Sequence, residues 1–176
     1  MLWTRESTPT NPQEQEEYFQ NLPEDKLFLG VYDADEWQVG TAGLTDIDHM
    51  NQTAEFSLLI GEEFRGKGYG RKALGSLVSY AFDVLNLRTV WGETFCYPRE
   101  AMWFLKKYNT RLINPRQVYS DLNGDYFINP AAKVFDYMGF KKEGFLRDRY
   151  YKYGFTVSSV VCSVRRKEWG HLNLPL

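Results

Sequence analysis

Ile60-Gly61-Glu62-Glu63-Phe64-Arg65-Gly66-Lys67-Gly68-Tyr69-Gly70-Arg71-Lys72 packs four glycines and four cations into thirteen residues. Upstream, Thr53 to Ile60 has strand composition; downstream, Leu74, Leu77, Val78, Ala81, Phe82 and Leu85 recur at i, i+3, i+4, i+7, i+8 and i+11, the period of an amphipathic helix. A glycine-rich turn between a strand and a helix N-terminus is built for an anion. Glycines let the backbone approach phosphate oxygens, successive N–H groups point into one concavity, and the helix end adds partial positive charge.

Spacing decides among three phosphate motifs. Gly61-x-x-x-x-Gly66-Lys67 begins like a Walker A loop, but Gly68 stands where the Mg²⁺-binding Ser or Thr belongs, which speaks against triphosphate hydrolysis. In a dinucleotide fingerprint Arg71 would fill the third glycine position, so that fold is poorly supported too. The spacing that fits is Arg65-x-x-Gly68-x-Gly70 after an apolar strand.

Outward from the turn, a strand from Leu87 to Phe95 follows the helix, so strand, turn, helix and strand make a crossover unit in an α/β or mixed sheet. Toward the N-terminus, Lys26 to Tyr32 and Trp37 to Thr45 read as an antiparallel hairpin around Asp33-Ala34-Asp35-Glu36. Before them, Asn11 caps a short helix from Pro12 to about Asn21, with Pro12 first and Glu14 three residues after the cap. Toward the C-terminus the pattern gives a helix from Pro130 to Tyr137 and strands from Phe140 to Arg147 and Phe155 to Arg165, with a turn at Gly154.

The chain has 176 residues, 21 Lys+Arg against 23 Asp+Glu, and 43% hydrophobic residues. This suits one domain over residues 1–176 with a core of its own, needing no disulfide or metal. Cys96, Cys162, His49 and His171 show no ligand spacing, so no metal is expected. No apolar run approaches the ~20 residues that cross a bilayer, and the polar start, Met1 to Gln20, makes the cytoplasm the expected location. The basic groups Lys141-Lys142, Arg147, Arg149 and Arg165-Arg166-Lys167 are interleaved with Glu143, Asp148 and Glu168, which favours solvated strand edges over a nucleic-acid surface.

The Arg65-x-x-Gly68-x-Gly70 motif resembles the pyrophosphate signature of the GNAT superfamily of N-acetyltransferases. Asn129-Pro130-Ala131-Ala132, the run Met138-Gly139-Phe140-Lys141-Lys142-Glu143-Gly144-Phe145-Leu146-Arg147-Asp148 and Glu168-Trp169 are similar to the C-terminal half of the branch containing ribosomal-protein alanine and spermidine acetyltransferases. The resemblance runs from about Thr10 to Trp169. It implies a mixed, mostly antiparallel central sheet with a V-shaped splay, flanked by helices, and acetyl-CoA as donor to a small-molecule or peptide amine. Leu58, Leu59 and Ile60 would hold the pantetheine arm through their backbone. Arg65, Gly66, Lys67, Gly68, Tyr69, Gly70 and Arg71 would wrap the pyrophosphate, and Asn129 matches the asparagine that contacts the coenzyme arm.

Direct transfer needs a neutral amine: for a lysine-like acceptor, deprotonation at pH 7 costs about 4.6 kcal/mol, against ~1–1.4 for an α-amine. Glu55 matches the family's strand base and reads equally well as a cross-strand charge; Glu93, on the opposite strand, would act through water. Asp46 and Asp48 join Glu55 in tilting the cleft toward a cationic acceptor. The residues that usually protonate the departing thiolate are replaced by Phe135 and Ala132, leaving Tyr137, which also reads as a core aromatic. A catalytically silent acyl-CoA-binding module is therefore the alternative. Cys96 reads as packing, not as a nucleophile.

Two departures from the family stand out. Met1 to Arg5 supply only a remnant of the first strand. An insertion at about 97–128 separates the fourth strand from Asn129; its start, Pro98 to Tyr108, is helical in pattern, Trp103 and Phe104 are candidates to line the cleft, and turn signals follow at Asn114-Pro115 and Asn123-Gly124. Asp121-x-Asn123-Gly124-Asp125 has its glycine at the fourth position, not the sixth of a calcium loop. The insertion is expected to shape acceptor choice or an oligomer contact, and the C-terminal strands suit pairing in a homodimer.

Overall fold

The computed structural model describes residues 11–108, 126–129 and 132–169. They fall into two compact units: one from the described residues of Pro9–Gly92, Met138–Phe140 and Ser163–Leu176, the other from those of Glu93–Tyr137 and Lys141–Cys162.

The first unit opens with α1 (Pro12–Gln20), started by a complete capping box: Glu14 N–H donates to Asn11 Oδ1 at 2.8 Å, and Asn11 N–H to Glu14 Oε2 at 3.3 Å. Strand β1 (Leu27–Tyr32) pairs antiparallel with β2 (Gln38–Asp48), their turn held by Asp33 Oδ1, which accepts from the N–H groups of Asp35 and Trp37. Strand β3 (Thr53–Ile60) continues the meander, from Gly40↔Ile60 to Thr45↔Glu55. Helix α2 (Tyr69–Asp83) buries Leu74, Leu77, Val78, Ala81 and Phe82, the stripe read from the sequence. It ends where Asn86 takes φ 54° and Leu87 N–H closes back on Ala81 O at 2.9 Å, satisfying an orphan carbonyl.

Register assigns the faces. A Cβ on Gly70 at the start of α2 would touch Ile60 and Leu58, so α2 covers the Leu58 and Ile60 face of β3. Phe28 lies opposite Gly43 and meets the rings of Tyr18 and Phe19, which puts α1 on the other face, shared by Glu55, Ser57 and Leu59. Helix α5 (Arg166–Trp169) is tied to α2 by Trp169 Nε1–H donating to Ser79 Oγ at 3.1 Å.

Strand β4 (Thr89–Pro98) enters parallel to β3, with three rungs from Thr53↔Thr89 to Glu55↔Trp91, while β3 continues to Ile60. At the end of that seam the Phe56 ring occupies the space beside Gly92. A Cβ there would lie 2.5 Å from Phe56 Cε1, and the ring is backed edge-on by Phe140 at 5.2 Å. Gly92→Ala is therefore expected to destabilise the chain by about 1–3 kcal/mol in urea unfolding, and Phe56→Leu in the same chain to relieve part of that overpacking.

In the second unit β4 carries β5 (Tyr126–Ile128) antiparallel, from Cys96↔Ile128 to Pro98↔Tyr126. A 3₁₀ turn (Arg99–Ala101) leads into α3 (Met102–Tyr108), and α4 (Ala132–Tyr137) precedes the hairpin of β6 (Lys141–Lys152) and β7 (Phe155–Arg165). Tyr153 and Gly154 turn that hairpin, both at positive φ as a tight two-residue loop requires. The core here is Phe95, Tyr97, Ala101, Leu105 and Val157. Hydrogen-bonded strand order is β1-β2-β3-β4 in the first unit and β4-β7-β6, with β5 added to β4, in the second; β4 and β7 contribute to both. The mixed, mostly antiparallel sheet with flanking helices agrees with the expected fold class.

Several boundaries need correction. The strand read as Leu87 to Phe95 is Thr89–Pro98, so Tyr97 and Pro98, read as insertion, are strand, and the helix read from Pro98 begins at Met102; Tyr126–Ile128, read as the end of the insertion, pairs antiparallel with Cys96 to Pro98. Strand β2 runs to Asp48, not Thr45, and β6 to Lys152, not Arg147. The expectations for Met1 to Arg5, for Asn114-Pro115, and for the Asp121 to Asp125 segment lie outside the described residues.

Candidate functional site

The glycine turn takes shape at the end of β3. Gly61 N–H still reaches Val39 O at 2.9 Å, a 3₁₀ turn (Glu62–Phe64) follows, and Arg65 folds back to donate Nε–H to Ile60 O at 2.9 Å. That bond fixes the root of the guanidinium against the strand. Gly66 and Gly68 have φ of 78° and 91°, and no atom lies within 4 Å of the Cβ either would carry. Backbone conformation, not crowding, demands glycine at both, and the concavity beside them is open.

Gly68 is also the N-cap of α2, and it brings no side-chain cap. The first-turn N–H groups of α2 thus receive no side-chain oxygen from their cap, no acidic residue stands in that turn, and Arg71 and Lys72 do. Lys67 Nζ lies 5.4 Å over the Phe64 ring, which meets Tyr69 edge-on. Uncapped N–H groups, an open glycine cradle and a tethered arginine fit a pyrophosphate. Leu58 and Ile60 are half-buried, whereas Leu59 is 47% exposed on the opposite face.

Glu55 sits in the same unit, at the last rung of the β3–β4 seam between Thr45 and Trp91, and is 4% exposed. Asp46 lies in the irregular stretch of β2 at φ 49°. Asp48 is committed to the β2–β3 turn: its carboxylate accepts from Asn51 N–H at 2.8 Å and Asn51 Nδ2–H at 2.6 Å, which holds its pKa below the usual value. Asp48 therefore stays ionised while it organises the turn.

The second unit holds the remaining candidates. Glu93 accepts from Tyr150 O–H at 2.7 Å on Oε2 and faces Arg149 Nε at 3.4 Å from Oε1. The Tyr150 ring packs edge-on against Phe95 at 4.9 Å. The sequence reading ends this strand at Arg147, and no local signal announces that Arg149 and Tyr150 meet Glu93. Lys152 is buried with its ammonium over the Phe95 ring, and burial lowers its pKa.

Asn129 N–H donates to Phe95 O at 3.0 Å, and Asn129 O accepts from Ala132 N–H at 2.9 Å, turning the chain from β5 into α4. On α4, Phe135 and Ala132 are buried while Tyr137 is 52% exposed, so its reading as a core aromatic is corrected. Trp103 is exposed and stacks edge-on with Phe104 and Phe155. Burial pushes the thiols of Cys96 and Cys162 up from 9.0 to about 12, which leaves Cys96 inert as a nucleophile at neutral pH. Of these basic residues, Arg149 faces Glu93, Arg165 pairs with Glu168, and Arg166 donates to Asn86 Oδ1. Among the described residues no group of His, Cys, Asp and Glu is placed to hold a metal ion, and no helix is long and apolar enough to cross a membrane.

A strand, an Arg-x-x-Gly-x-Gly turn and a helix whose N-cap brings no side chain stand here in the order of the signature that the sequence resembles. The Acetyltransferase (GNAT) domain family matches residues 1–97, and the chain belongs to that family. A spermidine N(1)-acetyltransferase of Vibrio cholerae is 33% identical over 61 residues, 35% of each chain; the chain thus spans about a third of the length of this curated relative. Among solved structures, the spermidine N-acetyltransferase from Vibrio cholerae in complex with CoA and spermine superposes with a TM-score of 0.70 at 20% identity, covering 94% of this chain and 82% of that one. A dodecameric form of the V. cholerae enzyme gives 0.64 at 17%, covering 92% and 76%.

Proposed function

We propose that the chain is an N-acetyltransferase that moves an acetyl group from acetyl-CoA to a primary amine by direct attack in a ternary complex, with polyamines as the first acceptors to try. The observation that carries this reading is the uncapped start of α2 behind the Gly66 and Gly68 cradle, with Arg65 tethered beside it. The backbone of Leu58 to Ile60 would hold the pantetheine arm and polarise the thioester carbonyl, Asn129 would contact the coenzyme arm, and Arg71 would add charge at the pyrophosphate. Glu55 would take the proton from the ammonium before attack. Tyr137 is the proposed donor to the departing thiolate. Family membership and a CoA- and spermine-bound structural neighbour support the choice of donor and acceptor. The dodecameric neighbour supports an assembly of several copies, and the cytoplasm is the compartment this reading calls for.

The test is thiol release from acetyl-CoA with spermidine, butylamine and an N-terminal alanyl peptide as acceptors. Release above the amine-free rate with any of them supports the reading. The catalytically silent acyl-CoA-binding module keeps one observation in its favour, since the buried Phe135 and Ala132 stand where the family's acids usually do. Coenzyme binding without amine-dependent release would select it.

A further inference from the structure

We propose that the outer edge of β6 pairs antiparallel with the same edge of a second copy of this chain, about a two-fold axis at Phe145. The surface lies wholly in the second unit, and it does not depend on the acetyl-transfer reading.

Among the described residues β6 ends the strand order, and no strand lies on its side away from β7. A groove of about 620 Å³ is lined by Phe145, Leu146, Arg147, Asp148 and Arg149. Successive residues of a strand point to opposite faces, so a groove touched by an unbroken run of them follows the strand's edge, where a further strand would lie. Phe145 and Leu146 are half-buried, and the residues on either side of them are exposed. An apolar centre with a charged rim is the make-up of an interface. The Phe145 ring is held edge-on by Tyr126 at 5.1 Å. Gly144 stands mid-strand, where glycine weakens pairing, yet its φ lies outside the left-handed range and no atom lies within 4 Å of the Cβ it would carry. Neither backbone conformation nor crowding within the chain calls for glycine here.

The order of side chains says what fits. With Phe145 opposite itself, Gly144 faces the partner's Leu146, Glu143 the partner's Arg147, and Lys142 the partner's Asp148. The leucine takes the room beside the glycine, and each charge meets its opposite. Slipping the register by one residue sets Lys142 opposite the partner's Arg147 in one direction and Glu143 opposite the partner's Asp148 in the other, so like charges reject both neighbouring registers. Asp148 bounds the ladder, with φ 51° and its N–H donating to Ser158 Oγ at 3.0 Å. Charges on an edge usually keep strands apart; this edge, read in reverse, is its own complement.

Sedimentation velocity over a range of protein concentrations tests the pairing. The wild type should form dimers or multiples of them. Glu143→Arg and Arg147→Glu should each weaken that association about tenfold or more, since each sets like charges opposite one another at two symmetric positions. Mixed in equal amounts, the two variants should recover wild-type association, because every such pair is then of opposite sign again, and the double variant should recover it alone. Gly144→Val should dissociate the chain while keeping the far-UV circular dichroism of the wild type. A monomeric wild type would overturn the proposal and leave the edge to a strand from a different protein. Single variants that assemble as the wild type does, or a mixture that fails to recover, would overturn it as well.

Discussion

Acetyl-CoA is expected to stabilise the folded chain, and replacing Arg65 with glutamate to abolish that effect. A ligand at 100 times its dissociation constant stabilises the folded state by ~2.7 kcal/mol, which for a chain of this size raises the unfolding midpoint by roughly 5–10 °C. The substitution puts a carboxylate where a pyrophosphate would lie and removes the Nε–H bond to Ile60 O that anchors the turn. Arg65→Lys separates these effects: it keeps the charge without the planar fork, and should give an intermediate rise. Thermal unfolding of the three proteins with and without acetyl-CoA is the measurement. An equal rise in wild type and Arg65→Glu would place the coenzyme away from the glycine turn.

The second large effect is expected at Glu55. Glu55→Gln keeps the shape of the side chain and the geometry of its strand position but cannot take a proton, so kcat at pH 7 should fall by about 10²–10³ if it serves as base. The coenzyme-induced rise in midpoint should survive. Only about 1 in 2,500 lysine-like amines is neutral at pH 7, whereas roughly a third are at pH 10. The deficit should therefore shrink as pH rises and the acceptor arrives deprotonated. A deficit constant from pH 7 to 10, with a lowered unfolding midpoint, would mean that Glu55 is a cross-strand charge and that another group, or solvent, removes the proton.

Local patterns make the glycine turn and its flanking elements legible. Thr53–Ile60 is legible because Gly61 closes it and Phe155–Arg165 because the Gly154 turn opens it; the apolar stripe locates α2, although its last member, Leu85, lies beyond the helix end at Asp83. The turn was readable because its requirements, positive φ at Gly66 and Gly68 and a helix beginning, are written in adjacent residues. Long-range pairing was not. Tyr126–Ile128 becomes strand only because β4 offers Cys96 to Pro98 as an edge, and no local signal in Tyr-Phe-Ile announces that partner. The two bonds that Asp48 accepts from Asn51 are likewise not readable as such, since Asp and Asn three residues apart can turn in several ways. The Glu93–Tyr150 bond joins residues 57 positions apart, and neither end carries a motif.

The glycine at the head of α2 has one more consequence. A serine or aspartate cap would finish the helix from within and leave the arriving anion to compete with it; glycine leaves the last donors to the guest. With the coenzyme bound as proposed, the helix would be completed by its ligand, and local order at residues 68–71 and donor affinity would be two readings of a single free energy. A substitution that tidies this end in the empty protein would weaken the grip of the loaded one.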